Sequence, residues 1–226
     1  MAPIYDCSND AELLTGTRLA RLTIGKGGLI VIPTDTVYGV AADAFLPEAV
    51  ARLLAAKGRG RQSPPPVLIP GIPTLDALAE AVPDEVHALV EEFWPGGLTI
   101  ILPARPSLAW DLGETRGTVA LRMPSNRIAL EILSETGPLA VSSANLTGEP
   151  AAMTAQDAER MLGDSVTVYL DDGPAGLGYE SAEPGTGSTI VDATALLLPE
   201  GKLRIVRSGV IPDEEIIRIV GEERCA

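Results

Sequence analysis

Three cations separated by two glycines, Lys57-Gly58-Arg59-Gly60-Arg61, are the residues of this chain most suited to chemistry. A charge run of this kind is commonly a solvated turn. Here a helical stretch precedes it and Pro64-Pro65-Pro66 follows, so it is held at both sides. The glycines let backbone approach a ligand closely. A second polar group, Pro33-Thr34-Asp35-Thr36-Val37-Tyr38-Gly39, follows an apolar run. Its position is a strand exit, where α/β folds place ligands. Ser142-Ser143-Ala144-Asn145 sits at another strand exit, either as a cap or as hydrogen-bonding groups for a ligand. Arg122 and Arg207 each close an apolar strand. Either is a weak surface ion-pair residue or a guanidinium fork for carboxylate or phosphate. The common theme is anion binding. No Walker A pattern, no G-x-G-x-x-G after the first strand and no G-x-S-x-G elbow is present. A phosphate site in this chain therefore rests on side-chain cations. His87, the single histidine, lies in an ordinary helical stretch and reads as a packing or surface residue.

Composition narrows the partners. The chain has 226 residues and a formal charge of -14. Nucleic-acid binding draws its affinity from neutralising phosphates with Lys and Arg. A chain this acidic is expected not to bind nucleic acid strongly, although a local cationic pocket for a small anion is compatible with it. Cys7 and Cys225 lie near opposite ends without a metal-ligand companion, and two reduced thiols are expected rather than a disulfide or a zinc site. No signal peptide and no membrane-length apolar run is visible, so a cytoplasmic protein is expected.

The elements that must position these groups follow from pattern. Helices are predicted over residues 9–24, 47–56, 75–81, 84–93, 125–134, 155–162 and 213–220. Strands are predicted over 28–32, 67–69, 98–102, 118–123, 139–141, 166–170, 188–192 and 203–206. Residues 104–116 have no period and read as a surface excursion. The stretch from Asp171 to Gly187, rich in Gly, Pro and acids, reads as a mobile lid or loop. Strands and helices mix without strict alternation, and no repeat or linker is visible. The expectation is one α/β domain over 1–226: a twisted, mixed parallel and antiparallel sheet with flanking helices.

Taken in order, the motifs resemble one family, the YrdC-type threonylcarbamoyl-AMP synthases. The matching pieces are Pro33 to Gly39, Lys57-Gly58-Arg59, Trp94-Pro95-Gly96, Val119 to Pro124, Ser142 to Asn145, Ser188-Thr189-Ile190 and Val206 to Gly209. The likeness runs from about residue 9 to about 220. It implies a YrdC-like fold with a large, concave, positively charged cavity. It implies condensation of L-threonine, bicarbonate or CO2, and ATP into threonylcarbamoyl-AMP and pyrophosphate, with Mg2+ accompanying the ATP. A separate transferase complex then passes the group to the tRNA adenosine beside the anticodon. By the resemblance Lys57 and Arg59 are the catalytic cations. Thr34 and Arg122 contact threonine, and Ser188 closes over it. Lys57, Arg59, Thr118, Ser143, Asn145 and Arg207 contact the nucleotide. No residue is assigned as a metal ligand. Longer relatives carry a second C-terminal domain, which is not expected here.

The sequence departs from the family at three places. Gly60, Ser63-Pro64-Pro65-Pro66 and Ile69-Pro70 occupy a region where many members carry a run ending in His. Ala151 or Ala152 stands where a Ser is common, and Gly187 where Glu is common. Competing readings are a related enzyme that activates another carbamoyl group, and an RNA-binding module without chemistry.

Overall fold

The computed structural model describes residues 2–179 and 182–226. In chain order the elements are β1 (Ile4–Asp6), α1 (Asp10–Gly25), β2 (Ile30–Ile32), β3 (Gly39–Asp43), α2 (Pro47–Ala56), β4 (Val67–Leu68), α3 (Ile72–Leu78), α4 (Asp84–Phe93), β5 (Leu98–Pro103), β6 (Thr118–Arg122), α5 (Arg127–Thr136), β7 (Leu139–Ser143), α6 (Ala155–Leu162), β8 (Val168–Asp171), β9 (Thr189–Asp192), β10 (Arg204–Arg207) and α7 (Asp213–Val220). The strands form one 10-stranded sheet in the order β1-β8-β2-β3-β7-β4-β6-β5-β9-β10. Parallel pairs, such as β4 with β6, occur beside antiparallel pairs, such as β3 with β7. The mixed α/β sheet expected from the sequence is therefore present. Among the described residues no helix is long and apolar enough to cross a membrane.

Side-chain alternation sorts the strands onto two faces. In β2, Ile30 and Ile32 enter one apolar cluster and Val31 enters another, so the strand is buried on both sides. That double burial explains its unbroken apolar run. Helices α1 and α5 seal one face over β8, β2, β3 and β7, through Ala20, Ile24, Ile128, Ile132 and Leu133. Helices α2 and α6 seal the opposite face there, through Ala49, Leu53, Ala155, Ala158 and Leu162. Toward the other end, α3, α4 and α7 cover one face of β5, β6 and β9. Register places Leu139, Leu68, Arg122, Thr99 and Ile190 on a common face. This is the face that α1 and α5 cover farther along. Beyond them it is left concave.

Several boundaries differ from expectation. β1 and β3 were not foreseen. Gly39-Val40-Ala41-Ala42-Asp43 lacks the β-branched density of a strand, and it is held by pairing on both sides. Helix α3 begins three residues earlier than predicted, with Pro73 in its first turn. Helix α5 begins at Arg127, two residues later than predicted, because Asn126 caps it by accepting from Ile128 N and Ala129 N. Both cysteines are free thiols. Burial and the nearby carboxylates of Asp172 and Asp171 raise the Cys7 thiol to about 12, so it is inert.

Candidate functional site

The concave face carries a cavity of about 330 Å3. Its lining draws Thr34, Thr36 and Gly39 from the strand exit, Arg59, Pro64 and Pro66 from the cationic segment, and Arg122 from β6. Ser142 and Ser143 of β7, Thr99, Ser188, Ile190, Gly187 and Arg207 also line it. Among the described residues no acidic side chain lines it, and three guanidinium groups do. A chain of net charge -14 thus concentrates positive potential in one recess.

The strand exit is shaped by its own hydroxyls. Thr34 Oγ1 donates to Val37 O at 2.6 Å and accepts from Thr36 N at 3.2 Å, which folds the turn back on itself. Thr36 Oγ1 then accepts from Arg122 Nη1 at 3.0 Å. Arg122 Nε donates to Gly96 O at 2.9 Å. Asp35 lies 2.8 Å from Arg122 Nη2, and both side chains are nearly fully buried. Tyr38 points away from the cavity, and its hydroxyl donates to Gly173 O at 2.6 Å.

Lys57 overturns one expectation. A charge run is commonly a solvated turn, yet this lysine is 1% exposed. Its Nζ donates to the carbonyls of Ser143 and Asn145 and, at 3.4 Å, to Asn145 Oδ1. A buried ammonium is tolerated when its donors are satisfied. Burial first, and the charge of Arg59 second, lower its pKa to about 8. Asn145 is engaged on its own loop through Leu146 O and Glu149 O. Lys57 and Asn145 therefore stand behind the lining and shape the Ser-Asn loop from beneath. Arg59 remains at the surface of the cavity, reaching Thr147 Oγ1 at 3.1 Å and Ser142 Oγ at 3.4 Å.

Across the cavity Arg207 donates to Ser188 O through Nε at 3.1 Å and Nη2 at 2.6 Å. Burial, with Arg122 as a like charge, lowers its pKa from the ordinary arginine value. Ser188 Oγ lies 2.8 Å from Thr99 Oγ1. A Cβ at Gly187 would meet Arg207 Nη2 at 3.0 Å. An acidic residue there would abut this guanidinium, so glycine keeps a carboxylate from this position beside the arginine.

Of the residues named from sequence, the fold brings Thr34, Arg59, Arg122, Ser143, Ser188 and Arg207 together in the lining. Thr118 shares the face of β6 with Arg122 but stands four residues away, roughly 13 Å along the strand. It is not in the lining, and its hydroxyl donates to Thr115 O at 2.8 Å. In the region of the missing histidine, Leu68 faces the cavity and Ile69 is buried in the core of the opposite face. That wall is apolar. Sequence reasoning missed Thr99 and Tyr179. Thr99 was detectable as the lone hydroxyl in an apolar strand, on the face opposite Leu98, Ile100 and Leu102. Tyr179 lies in the segment 171–187, whose residues 180 and 181 are outside those described. Its described part is tied to the body by Ala175 N to Met153 O and Val210 N to Gly187 O. Among the described residues no three His, Cys, Asp or Glu side chains are grouped to hold a metal.

A family model named Sua5_yciO_yrdC, described as telomere recombination, matches residues 23–209. A Mycobacterium tuberculosis protein named putative threonylcarbamoyl-AMP synthase is 44% identical over 221 residues, covering 98% of this chain and 96% of that one. The Bacillus subtilis threonylcarbamoyl-AMP synthase is 35% identical over 217 residues, with 95% of this chain and 58% of that one covered. Among solved structures, Pyrococcus abyssi Sua5 complexed with L-threonine superposes with a TM-score of 0.85 at 31% identity. All of this chain is covered in that comparison, and it spans 62% of the Pyrococcus chain.

Proposed function

The chain belongs to the Sua5/YciO/YrdC family, and on that premise we propose that it is a threonylcarbamoyl-AMP synthase. L-Threonine, bicarbonate and ATP are its substrates. The amine of threonine adds to the carbon of bicarbonate, water leaves, and a carbamate results. A carbamate oxygen then bonds to the α-phosphorus of ATP, and pyrophosphate departs with the electron pair of the broken P–O bond. Such a transfer needs positioning and charge neutralisation rather than a covalent nucleophile.

The observation that carries this reading is the lining itself. Arg59, Arg122 and Arg207 converge with the hydroxyls of Thr34, Thr36, Ser143 and Ser188, and no nucleophile–base pair accompanies them. Arg122 and Thr34 hold the amino acid, its carboxylate on the guanidinium fork. Ser188 stands over that subsite. Arg59, Ser143 and Arg207 take the phosphates, with Lys57 and Asn145 fixing the Ser-Asn loop behind them. Thr118 lies outside this assignment. The donor set suits Mg2+ only as a companion of ATP, since among the described residues no carboxylate lines the cavity. Triphosphate oxygens and water would hold the ion, and it would neutralise charge on the phosphates. The product is handed to a transferase complex that modifies tRNA, a cytoplasmic role.

The deciding experiment incubates the protein with ATP, Mg2+, bicarbonate and L-threonine and measures pyrophosphate. Threonine-dependent release is expected. Equal release without threonine would overturn the reading. Threonine alone should also stabilise the fold, by about 2.7 kcal/mol at 100 times its Kd.

A further inference from the structure

Asp35 is an anomaly in a site meant for anions. Its carboxylate is nearly fully buried and touches three separate parts of the chain. Oδ1 accepts from Ser125 N at 2.9 Å, just beyond β6. Oδ2 accepts from the Tyr179 hydroxyl at 3.0 Å and lies 2.8 Å from Arg122 Nη2. The contact with Arg122 is electrostatic without being an aligned hydrogen bond, because Nη2 has no hydrogen-bond acceptor among the described residues. The other nitrogens of that guanidinium are anchored, Nε on Gly96 O and Nη1 on Thr36 Oγ1. Arg122 is thus held on three sides, with Nη2 buried against Asp35, in a side chain that lines the cavity.

We propose that Asp35 and Tyr179 are positioning residues for Arg122, acting together to fix its guanidinium in the cavity wall in the orientation that meets the carboxylate of the amino-acid substrate. This rests on the reading that Arg122 holds that carboxylate. Asp35 compensates the buried guanidinium, which would otherwise be destabilised as an isolated charge. The Tyr179 hydroxyl, by donating to the same oxygen, fixes the carboxylate against which Arg122 Nη2 rests. Burial and the charge of Asp35 raise the Tyr179 pKa to about 12, so it remains a donor throughout the neutral range. Gly97 gives the tyrosine room, since a Cβ there would meet its hydroxyl at 2.9 Å.

The test separates amino acid from nucleotide. L-Threonine and ATP are titrated separately, by calorimetry, into the wild-type protein, Asp35→Asn, Tyr179→Phe and Arg122→Lys, with melting temperatures recorded without ligand. Misplacing a binding group by about an ångström costs up to roughly 100-fold. Asp35→Asn should weaken threonine by about 10- to 100-fold and Tyr179→Phe by about 3- to 10-fold, with ATP affinity within about 2-fold in both. A purely structural role would instead lower the melting temperature and weaken both ligands alike, which overturns the proposal. So does unchanged threonine affinity in Tyr179→Phe, the variant least able to disturb folding. Wild-type binding of threonine that survives Arg122→Lys unchanged would refute the underlying assignment of Arg122, and the proposal with it.

Discussion

The two walls of the cavity solve the same electrostatic problem in opposite ways. One wall joins the cationic segment to the Ser-Asn loop. Lys57 is satisfied by carbonyl oxygens there, and Thr147 Oγ1 donates to Lys57 O at 2.8 Å to complete the stitch between the loops. Among the described residues no carboxylate takes part, so the wall keeps its positive charge. The other wall is built from strand residues, and its central cation, Arg122, is balanced by Asp35. The first wall suits a polyanion, for which net charge matters most. The second suits one carboxylate in a defined orientation, for which geometry matters most. A cation neutralised by backbone dipoles remains a cation to its ligand, whereas one paired to a carboxylate offers directed donors.

Lys57 is where this contrast breaks most visibly. Lys57→Met removes the charge and leaves the Ser143 and Asn145 carbonyls without their donor. We expect synthesis to fall by ~10²–10³. We also expect a stability loss of about 2–3 kcal/mol, since unmet buried polar groups carry that penalty. A melting decrease of roughly 4–12 °C follows for a chain of this size. Pyrophosphate release and calorimetry read the two effects, and a variant with normal melting would show that the stitch holds nothing together. Arg59→Ala should lose ~10² in rate with stability changed by less than about 1 kcal/mol, because this side chain stays half exposed. Arg59→Lys should recover only part of the rate, since an ammonium cannot reproduce a planar fork. Full recovery would mean that the first wall needs only charge there.

This difference between neighbours two residues apart was only half legible in the sequence. The motif Lys57-Gly58-Arg59 identified a cationic site, but nothing in its spacing separates a buried ammonium from a surface guanidinium. That distinction arises from α2 ending at Ala56 and from the Ser-Asn loop, 86 residues later, folding over Lys57. The sheet and most elements were visible from period alone. β3 was not, because its Gly-Val-Ala-Ala-Asp run belongs to a strand only through its partners β2 and β7. Arg122 and Arg207 were legible as polar residues at the ends of apolar runs, and Ser188 through the family resemblance. Asp35 was noticed within the strand exit, yet its pairing with Arg122 depends on long-range register that no local pattern encodes.

The same lysine makes a pH signature that sharpens the comparison at smaller amplitude. Its native pKa, about 8, lies below the ordinary value of 10.5. Below pH 8 the ammonium is charged in both native and unfolded chains. Between about 8 and 10.5 the unfolded chain holds the proton that the native one has released, so stability from this group rises with pH across that window. The attraction for triphosphate runs the other way and is lost as pH passes 8. ATP affinity should therefore weaken several-fold from pH 7 to 9 while the melting temperature, relative to Lys57→Met, rises. The threonine wall, resting on arginines, should show no such midpoint. Parallel profiles for wild type and Lys57→Met would remove Lys57 from nucleotide recognition.

The smallest effect is expected at the outer end of the cationic segment. Arg61 forms a bidentate pair with Asp111, with contacts of 2.9 and 2.8 Å, but the side chains are 60% and 42% exposed. Exposed pairs contribute about 0–1 kcal/mol. Arg61→Ala should therefore leave synthesis within about 3-fold of wild type and melting nearly unchanged. What ties this end of the segment to the 104–116 excursion is backbone: Glu114 N donates to Arg61 O at 2.8 Å. Gly113 permits that approach with φ +105, and a Cβ there would lie 2.6 Å from the same carbonyl oxygen. Gly113→Ala should thus cost more than Arg61→Ala although it removes no charge, since both the strained φ and the clash act on the backbone that carries Arg59. Measured side by side, the two variants separate charge from placement at one point of the first wall. If Arg61→Ala proves the more damaging, Arg61 itself meets the phosphates, and the wall extends one cation farther than its lining indicates.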